Sequence, residues 1–411
     1  MTVRKIVAIV LIFVVTSIAW MILGASNSSR TNTSFSSLKS QVANLYGNRL
    51  NIAAPRCYTK TTKHREETVN NTKRMVEYYE YQDHELIKSD LKINVYLDQR
   101  KKGNLWFPTF KASFEGKYTF LVDSSSKNNI YLYSTLNSSD SIYNNLYLNI
   151  NNKDVVNVLP LINKVDFPVV PDKDNIVQFT VSYDATGMEE IRYLITSDRD
   201  AIAQINDFNL VISTDFELYD FPSNMMSPTQ KNATEKGYDL IWDLNKTITG
   251  KNIGLIIPNK LNPGEIITRV SFFAPVSLLF FFVVLLMFSV VLKINLHPMH
   301  FFFLAATFFS FHLMFSYFSD ELNIYLSFAI SAVVSLILTV TYMRLISPKK
   351  MAFAYSPIIQ FIYLIVFSFS FFFDGITGII VTICAVITLF ILMQVTGRIN
   401  WDEEFKGKFK G

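Results

Sequence analysis

Six stretches of this chain, residues 6–23, 270–292, 301–318, 324–346, 358–373 and 376–395, are apolar almost without interruption, and apart from Arg344 near the end of the fourth they contain no Asp, Glu, Lys or Arg. All but the fifth reach 18 residues, about what a helix needs to cross the hydrocarbon of a bilayer. In lipid each backbone N–H and C=O must be paired within the crossing segment, so these stretches have to be helical. The fold class that follows is a polytopic α-helical membrane protein with six transmembrane helices and a large region inserted between helices 1 and 2.

Charge decides which helix ends share a side. Placing Arg4, Lys5, Lys293, Arg344, Lys349, Lys350, Arg398, Lys406, Lys408 and Lys410 together leaves the short opposite loops with Asp320, Glu321 and Asp374. This bias assigns the basic side to the cytoplasm. Both termini are then cytoplasmic and residues 26–268 extracytoplasmic. That inserted region holds 27 Lys and Arg against 28 Asp and Glu. The net charge of +4 therefore reports orientation and leaves no basic face for nucleic acid. The cytoplasmic pieces are too short for a kinase, cyclase or ATPase domain.

The expected division is an N-terminal transmembrane anchor over 1–25, an extracytoplasmic β-rich domain over 26–268, a five-helix bundle over 269–396 and a short basic tail over 397–411. The first apolar run is long for a signal peptide and is read as an uncleaved anchor. Cys57 and Cys384 fall in different regions, so no disulfide framework is expected, as suits a bacterial envelope protein. The Asn-x-Ser/Thr triplets, such as Asn137-Ser138-Ser139, are chance occurrences in an Asn- and Ser-rich region.

After a polar stretch over 26–34, Phe35, Leu38, Val42 and Leu45 recur at steps of three and four and predict a short amphipathic helix. From Val76 onward the period changes. Runs at 76–81, 91–97, 110–122, 130–136, 146–150, 176–183, 191–195, 208–214, 238–244 and 253–257 are rich in Tyr, Phe, Val and Ile and predict strands. Val177, Phe179, Val181 and Tyr183 alternate with Gln178, Thr180 and Ser182, giving one buried and one wet face. Turn signals at 123–129, 137–140, 171–175 and 259–264 suggest an antiparallel sandwich or meander.

The chemistry-bearing residues are few. His297 and His300 flank Pro298 and Met299, but two imidazoles lack the further donors that a metal needs. Pro298 instead suits the first position of the third helix. His312 lies mid-span without a charged partner, which predicts a neutral imidazole bonded to a neighbouring helix. Pro275 and Pro357 are placed in the first turns of their helices. Arg269, at the mouth of the second span, is expected to pair with Asp320, Glu321 or Asp374. No phosphate loop or nucleophile elbow is present, and no cofactor is expected.

Several strings resemble the CreD family of bacterial inner-membrane proteins, sometimes described as cell-envelope integrity proteins. Leu296-His297-Pro298-Met299-His300-Phe301 is similar to that family's Leu-His-Pro-x-Gln-Tyr, with His300 in place of Gln. Phe318-Ser319-Asp320-Glu321 resembles its Leu-Ser-Glu-His turn, and Gly397-Arg398-Ile399-Asn400-Trp401 its Arg-x-Ile-Asp-Trp. Arg100–Gly103 with Leu105-Trp106 and Gly116, Gly237 through Trp242, and Gly47 through Pro55 follow in the same order more loosely. The family's Trp-Pro-His-Pro-Ser-Phe stretch is reduced to Phe221-Pro222-Ser223. The resemblance implies a role in envelope stress and no catalytic residues.

The expected function is non-enzymatic: a protein of the bacterial inner membrane for envelope integrity or envelope-stress response. Its β-rich domain would bind an envelope polymer, lipid or membrane-protein partner, and its helices would anchor it in the lipid bilayer. A second expectation is a transporter or lipid-handling protein, with a hydrated groove lined by His312, Thr339 or Thr341. A third, an extracytoplasmic enzyme, requires a paired acid and base in a deep pocket.

Overall fold

The computed structural model describes residues 3–69, 72–123, 129–134, 142–155, 165–195, 202–373 and 375–397. The chain divides into two compact units, one of residues 1–36 and 261–411 and one of residues 37–260.

The first unit is helical. Its helices are α1 (Val3–Tyr46, of which residues up to 36 belong here), α2 (Pro263–Val291), α3 (Pro298–Phe318), α4 (Ile324–Ile346), α5 (Met351–Phe372) and α6 (Thr377–Thr396). All six are long and apolar enough to cross a membrane. Side chains such as Leu11, Ile22, Val333, Ile337 and Val386 are exposed, whereas Phe281, Leu304, Phe308 and Met343 are fully buried. Apolar residues thus cover both the inside and the outside, as in a bundle bathed in lipid.

The helix ends sort by charge. Lys5 Nζ donates to Asn295 in the α2–α3 loop at 2.6 Å, which puts the start of α1 at the end that carries Lys293, Arg344, Lys349 and Lys350. At the opposite end Arg30 pairs with Asp320 at 3.0 Å.

Three local expectations are corrected here. Residues 26–34, read as a polar break before a separate helix, continue α1 without interruption. No Gly or Pro lies between Ala25 and Tyr46, and extending an existing helix costs far less than nucleating a new one. α2 begins at Pro263, so Pro275 lies inside the helix and not in its first turn. Pro357 follows a π-helical turn, Met351–Tyr355, and a second π-helical run, Phe361–Val366, comes after Gln360. A residue lacking an N–H cannot complete the regular ladder, and widened turns are one way of absorbing the break.

The second unit is β-rich. An eight-stranded sheet runs in the order Lys153–Asp154, Tyr143–Ile150, Ile176–Met188, Thr109–Leu121, Glu85–Leu97, Ala203–Thr214, Tyr238–Thr249, Gln230–Ala233. A four-stranded sheet (Val165–Val169, Ile130–Ser134, Arg56–Val69, Thr72–Asp83) and a three-stranded one (Leu50–Ala53, Glu190–Leu194, Ile253–Ile256) contribute to the same core, with Arg100–Lys102 and Leu105–Phe107 forming a small hairpin. Val177, Phe179, Val181 and Tyr183 are buried from one face, and Phe110, Ala112, Phe114, Tyr118 and Phe120 from the paired strand. Trp242 is fully buried and donates its indole N–H to Met226 O at 3.0 Å.

All ten predicted strands are present, the run at 130–136 being strand as far as Ser134 with 135–136 outside the described residues. The expectation of an antiparallel sandwich or meander is corrected at two strand pairs. Ala203–Thr214 runs parallel to Glu85–Leu97, and Leu50–Ala53 parallel to Glu190–Leu194. The domain limits shift as well, because residues 26–36 and 261–268, assigned to the β-rich domain, belong to the helical unit. Residues 26–36 continue α1 and residues 263–268 open α2, both of which sequence hydropathy cuts short where polar residues begin. The approach of these two helices is close: a Cβ on Gly264 would lie 2.3 Å from Thr31 Oγ1.

Candidate functional site

A cleft of about 520 Å³ opens in the β-rich unit where the three larger sheets converge, a volume within the usual range of ligand pockets. Phe120, Tyr193, Phe208 and Leu86 form its apolar wall; Arg56, Asp83, Gln204 and Asn206 lie among its polar lining residues. Strand pairing fixes these positions. Ala53 and Tyr193 come from the parallel strands of the three-stranded sheet, while Arg56 and Cys57 begin the strand that follows Pro55.

Its polar groups hold one another. Arg56 meets Asp83 at 2.5 Å, Asn206 donates to Glu85 at 2.7 Å, and Tyr193 and Tyr118 share a hydroxyl contact of 3.2 Å. The buried ring of His84 bonds Thr59 Oγ1 through Nε2 at 2.8 Å, and its backbone N–H donates to Cys57 O at 2.8 Å. Burial holds the His84 pKa below its ordinary value although Asp123 and Asp83 pull the other way. Burial, aided by Asp83, pushes the Cys57 thiol up to about 12. The site thus holds an uncharged imidazole and a protonated thiol beside an ion-paired carboxylate.

The residues singled out from the sequence lie in the helical unit, where they are dispersed. His297 caps α3, its Nδ1 accepting from Met299 N at 3.3 Å, and Pro298 occupies the first turn as expected. His300 Nδ1 contacts Tyr342 Oη at 2.8 Å. Among the described residues no three His, Cys, Asp or Glu are grouped to hold a metal. His312 is buried, but its Nδ1 bonds Phe308 O in its own helix at 2.9 Å and not a neighbouring helix, while Trp20 of α1 meets the ring edge-on at 5.8 Å. An i–4 carbonyl is the nearest acceptor for a side chain that points back along its helix. Glu321 stands with Asp320 in the α3–α4 turn. Asp374, Arg398 and Trp401 lie outside the described residues.

Arg269 pairs with Glu265, one turn earlier, at 3.8 Å, and of its expected partners Asp374 lies outside the described residues. Arg30 reaches Asp320, also donates to Asn27 at 2.9 Å and Ser316 at 3.0 Å, and lies over the Tyr317 ring. Asn27 in turn donates to Ser271 of α2 at 3.2 Å, so one cluster ties α1, α2 and α3. Nothing in the sequence marks this cluster, because the polar residues 26–34 lack the apolar period of a helix. A second missed feature is a buried hydroxyl row on α4, Ser327, Ser331, Ser335 and Thr339, one turn apart. Thr339 bonds Thr307, Ser335 donates to Thr307 O, and buried Gln360 of α5 donates to Ser335 at 2.8 Å. Thr341 faces outward on α4. Of the three residues expected along a groove, His312 and Thr339 are buried and Thr341 lines an outer groove between α3 and α4.

Compared with protein-family models and with curated proteins, the chain matches none.

Proposed function

We propose that this is a multi-pass protein of the bacterial cytoplasmic membrane whose β-rich unit stands outside the cytoplasm and binds an envelope component, without catalysis, in support of envelope integrity or the response to envelope stress. The cleft bounded by Arg56, Asp83, Tyr193 and Phe208 carries this reading, since it joins an apolar wall to a polar rim as a lipid, glycan or peptide segment requires. The gathering of Lys5, Lys293, Arg344, Lys349 and Lys350 at one end of the helices supports the orientation. The strings that resemble the CreD family support the assignment to envelope maintenance.

Photo-crosslinking in intact cells tests it. A benzoylphenylalanine at Ile202, which lines the cleft and is exposed, should capture a discrete envelope component. Narrowing the cleft with Ala54→Trp should abolish the adduct while the protein still folds. An adduct unchanged by Ala54→Trp, or none at all, rejects the reading.

A further inference from the structure

The helical unit carries a groove of about 400 Å³ on its outer surface between α3 and α4. Phe303, Ala306 and Thr307 form one wall; Leu338, Thr341 and Leu345 form the other. We propose that it is a binding site for one anionic phospholipid from the leaflet on the basic side of the membrane, a site independent of the β-unit cleft.

The lining selects an acyl chain. Thr307 donates its hydroxyl inward, to Leu304 O or Thr339, and Thr341 donates to Ile337 O at 2.7 Å, so both threonines turn methyl groups and satisfied oxygens to the groove. Phe303 and Tyr342 stand 5.4 Å apart at one end, and Thr307 meets Thr339 near the other. From Leu345 to Leu338 the helical rise gives a length of about 10 Å.

Charge selects the headgroup. The Phe303–Leu345 end adjoins the helix termini that carry Arg344, Lys349 and Lys350. Arg344 is exposed and lies three residues from Thr341, hence on the same flank of α4. Tyr342, held by His300 at 2.8 Å, stands between chain and headgroup levels, the depth at which tyrosine sits best. Basic residues at the mouth of an intramembrane groove on the cytoplasmic side recognise anionic headgroups.

Native mass spectrometry of the full chain, reconstituted in vesicles of phosphatidylglycerol and phosphatidylcholine in equal amounts and released in mild detergent, tests the proposal. A single retained phospholipid is expected, with phosphatidylglycerol favoured about fivefold, since one basic side chain near the surface contributes about 1 kcal/mol. Ala306→Phe, which fills the groove, should remove the retained lipid, and Arg344→Gln should leave a lipid without headgroup preference. If Ala306→Phe does not fold, Thr341→Phe at an exposed position closes the same groove. Equal retention of both lipids by the unaltered chain, or retention untouched by either Phe variant, overturns the proposal. So does a dimer that the Phe variants dissolve, which would make the groove a helix–helix contact.

Discussion

The two units put their polar side chains in opposite places. In the β-rich unit Phe179, Leu210, Leu240 and Trp242 are buried, and Lys, Asp and Asn alternate outward along the same strands. In the helical unit Ser327, Ser331, Ser335, Thr339 and Gln360 are buried, while Leu11, Ile22, Ile337 and Val386 face out. One unit is organised by removing apolar surface from water. The other gains nothing by hiding leucine from lipid, so close packing and interhelical hydrogen bonds hold it instead. The surroundings of each unit are thus recorded in what it buries.

Substitutions that ask each unit for the same thing should separate them. The largest effect is expected in the β-rich core, where Trp242→Ala removes a fully buried ring and its bond to Met226 O. A loss of about 3–5 kcal/mol is expected, measured as a lower urea midpoint of the full chain followed by the β-sheet signal. A loss below 1 kcal/mol would mean that the three larger sheets do not share one core.

A matched pair comes next. Ile337 on α4 is 54% exposed and Ile248 in the β-rich unit is 71% exposed. Water outside both would make lysine harmless at either site. With lipid around α4, Ile337→Lys should raise the insertion cost of that helix by about 2.5–3.5 kcal/mol, whereas Ile248→Lys should stay within about 0.5 kcal/mol. A glycosylation-mapped insertion assay reads the first and a urea midpoint the second. Equal tolerance would erase the distinction between the units.

Smaller still is the effect of breaking the buried seam. Thr339→Val keeps the shape and removes the bond to Thr307. Interhelical hydrogen bonds in membranes average about 0.6 kcal/mol, so the variant should lose roughly that amount in a detergent unfolding titration. A much larger loss would show the hydroxyl row to be the main tie between α3 and α4.

The same contrast explains what could be read from the sequence. Apolar runs and alternating strands announce themselves because their periods match the geometry of helix and strand. Hence all six helices and the Val177–Tyr183 alternation were legible. The strand Arg56–Val69 was not, because outside Cys57 and Tyr58 it reads Thr-Lys-Thr-Thr-Lys-His-Arg-Glu-Glu-Thr, and its order comes from pairing with Thr72–Asp83. Nor was the cleft, whose lining comes from segments as distant as Ala53 and Phe208. Gly237 marks a similar case: a Cβ there would lie 2.3 Å from Thr214 O, a constraint that only tertiary structure reveals. Arg30 was hidden for the opposite reason, since the polar stretch Ser26–Ser34 carries no helical period of apolar residues and yet is helix.

The smallest expected effect concerns pH and belongs to the β-rich unit, where water can deliver a proton. His84 is buried against Thr59, and its folded pKa lies below the unfolded one. The unfolded chain therefore binds a proton that the folded chain refuses, and the stability contributed by neutral His84 is lost as pH falls below about 6.5 toward the folded value. The urea midpoint of the unaltered chain should drop between pH 7.5 and pH 5.5. His84→Gln, which retains a group able to bond Thr59, should flatten that slope while changing the midpoint at pH 7.5 little. Cys57, whose thiol stays protonated and buried beside the same site, provides the matching readout: maleimide should label it slowly at pH 7.5 and faster at pH 5.5 relative to a denatured standard at each pH, because opening of this region exposes both residues. If the slope survives His84→Gln and the relative labelling rate does not move with pH, protonation of His84 is not what opens the cleft wall.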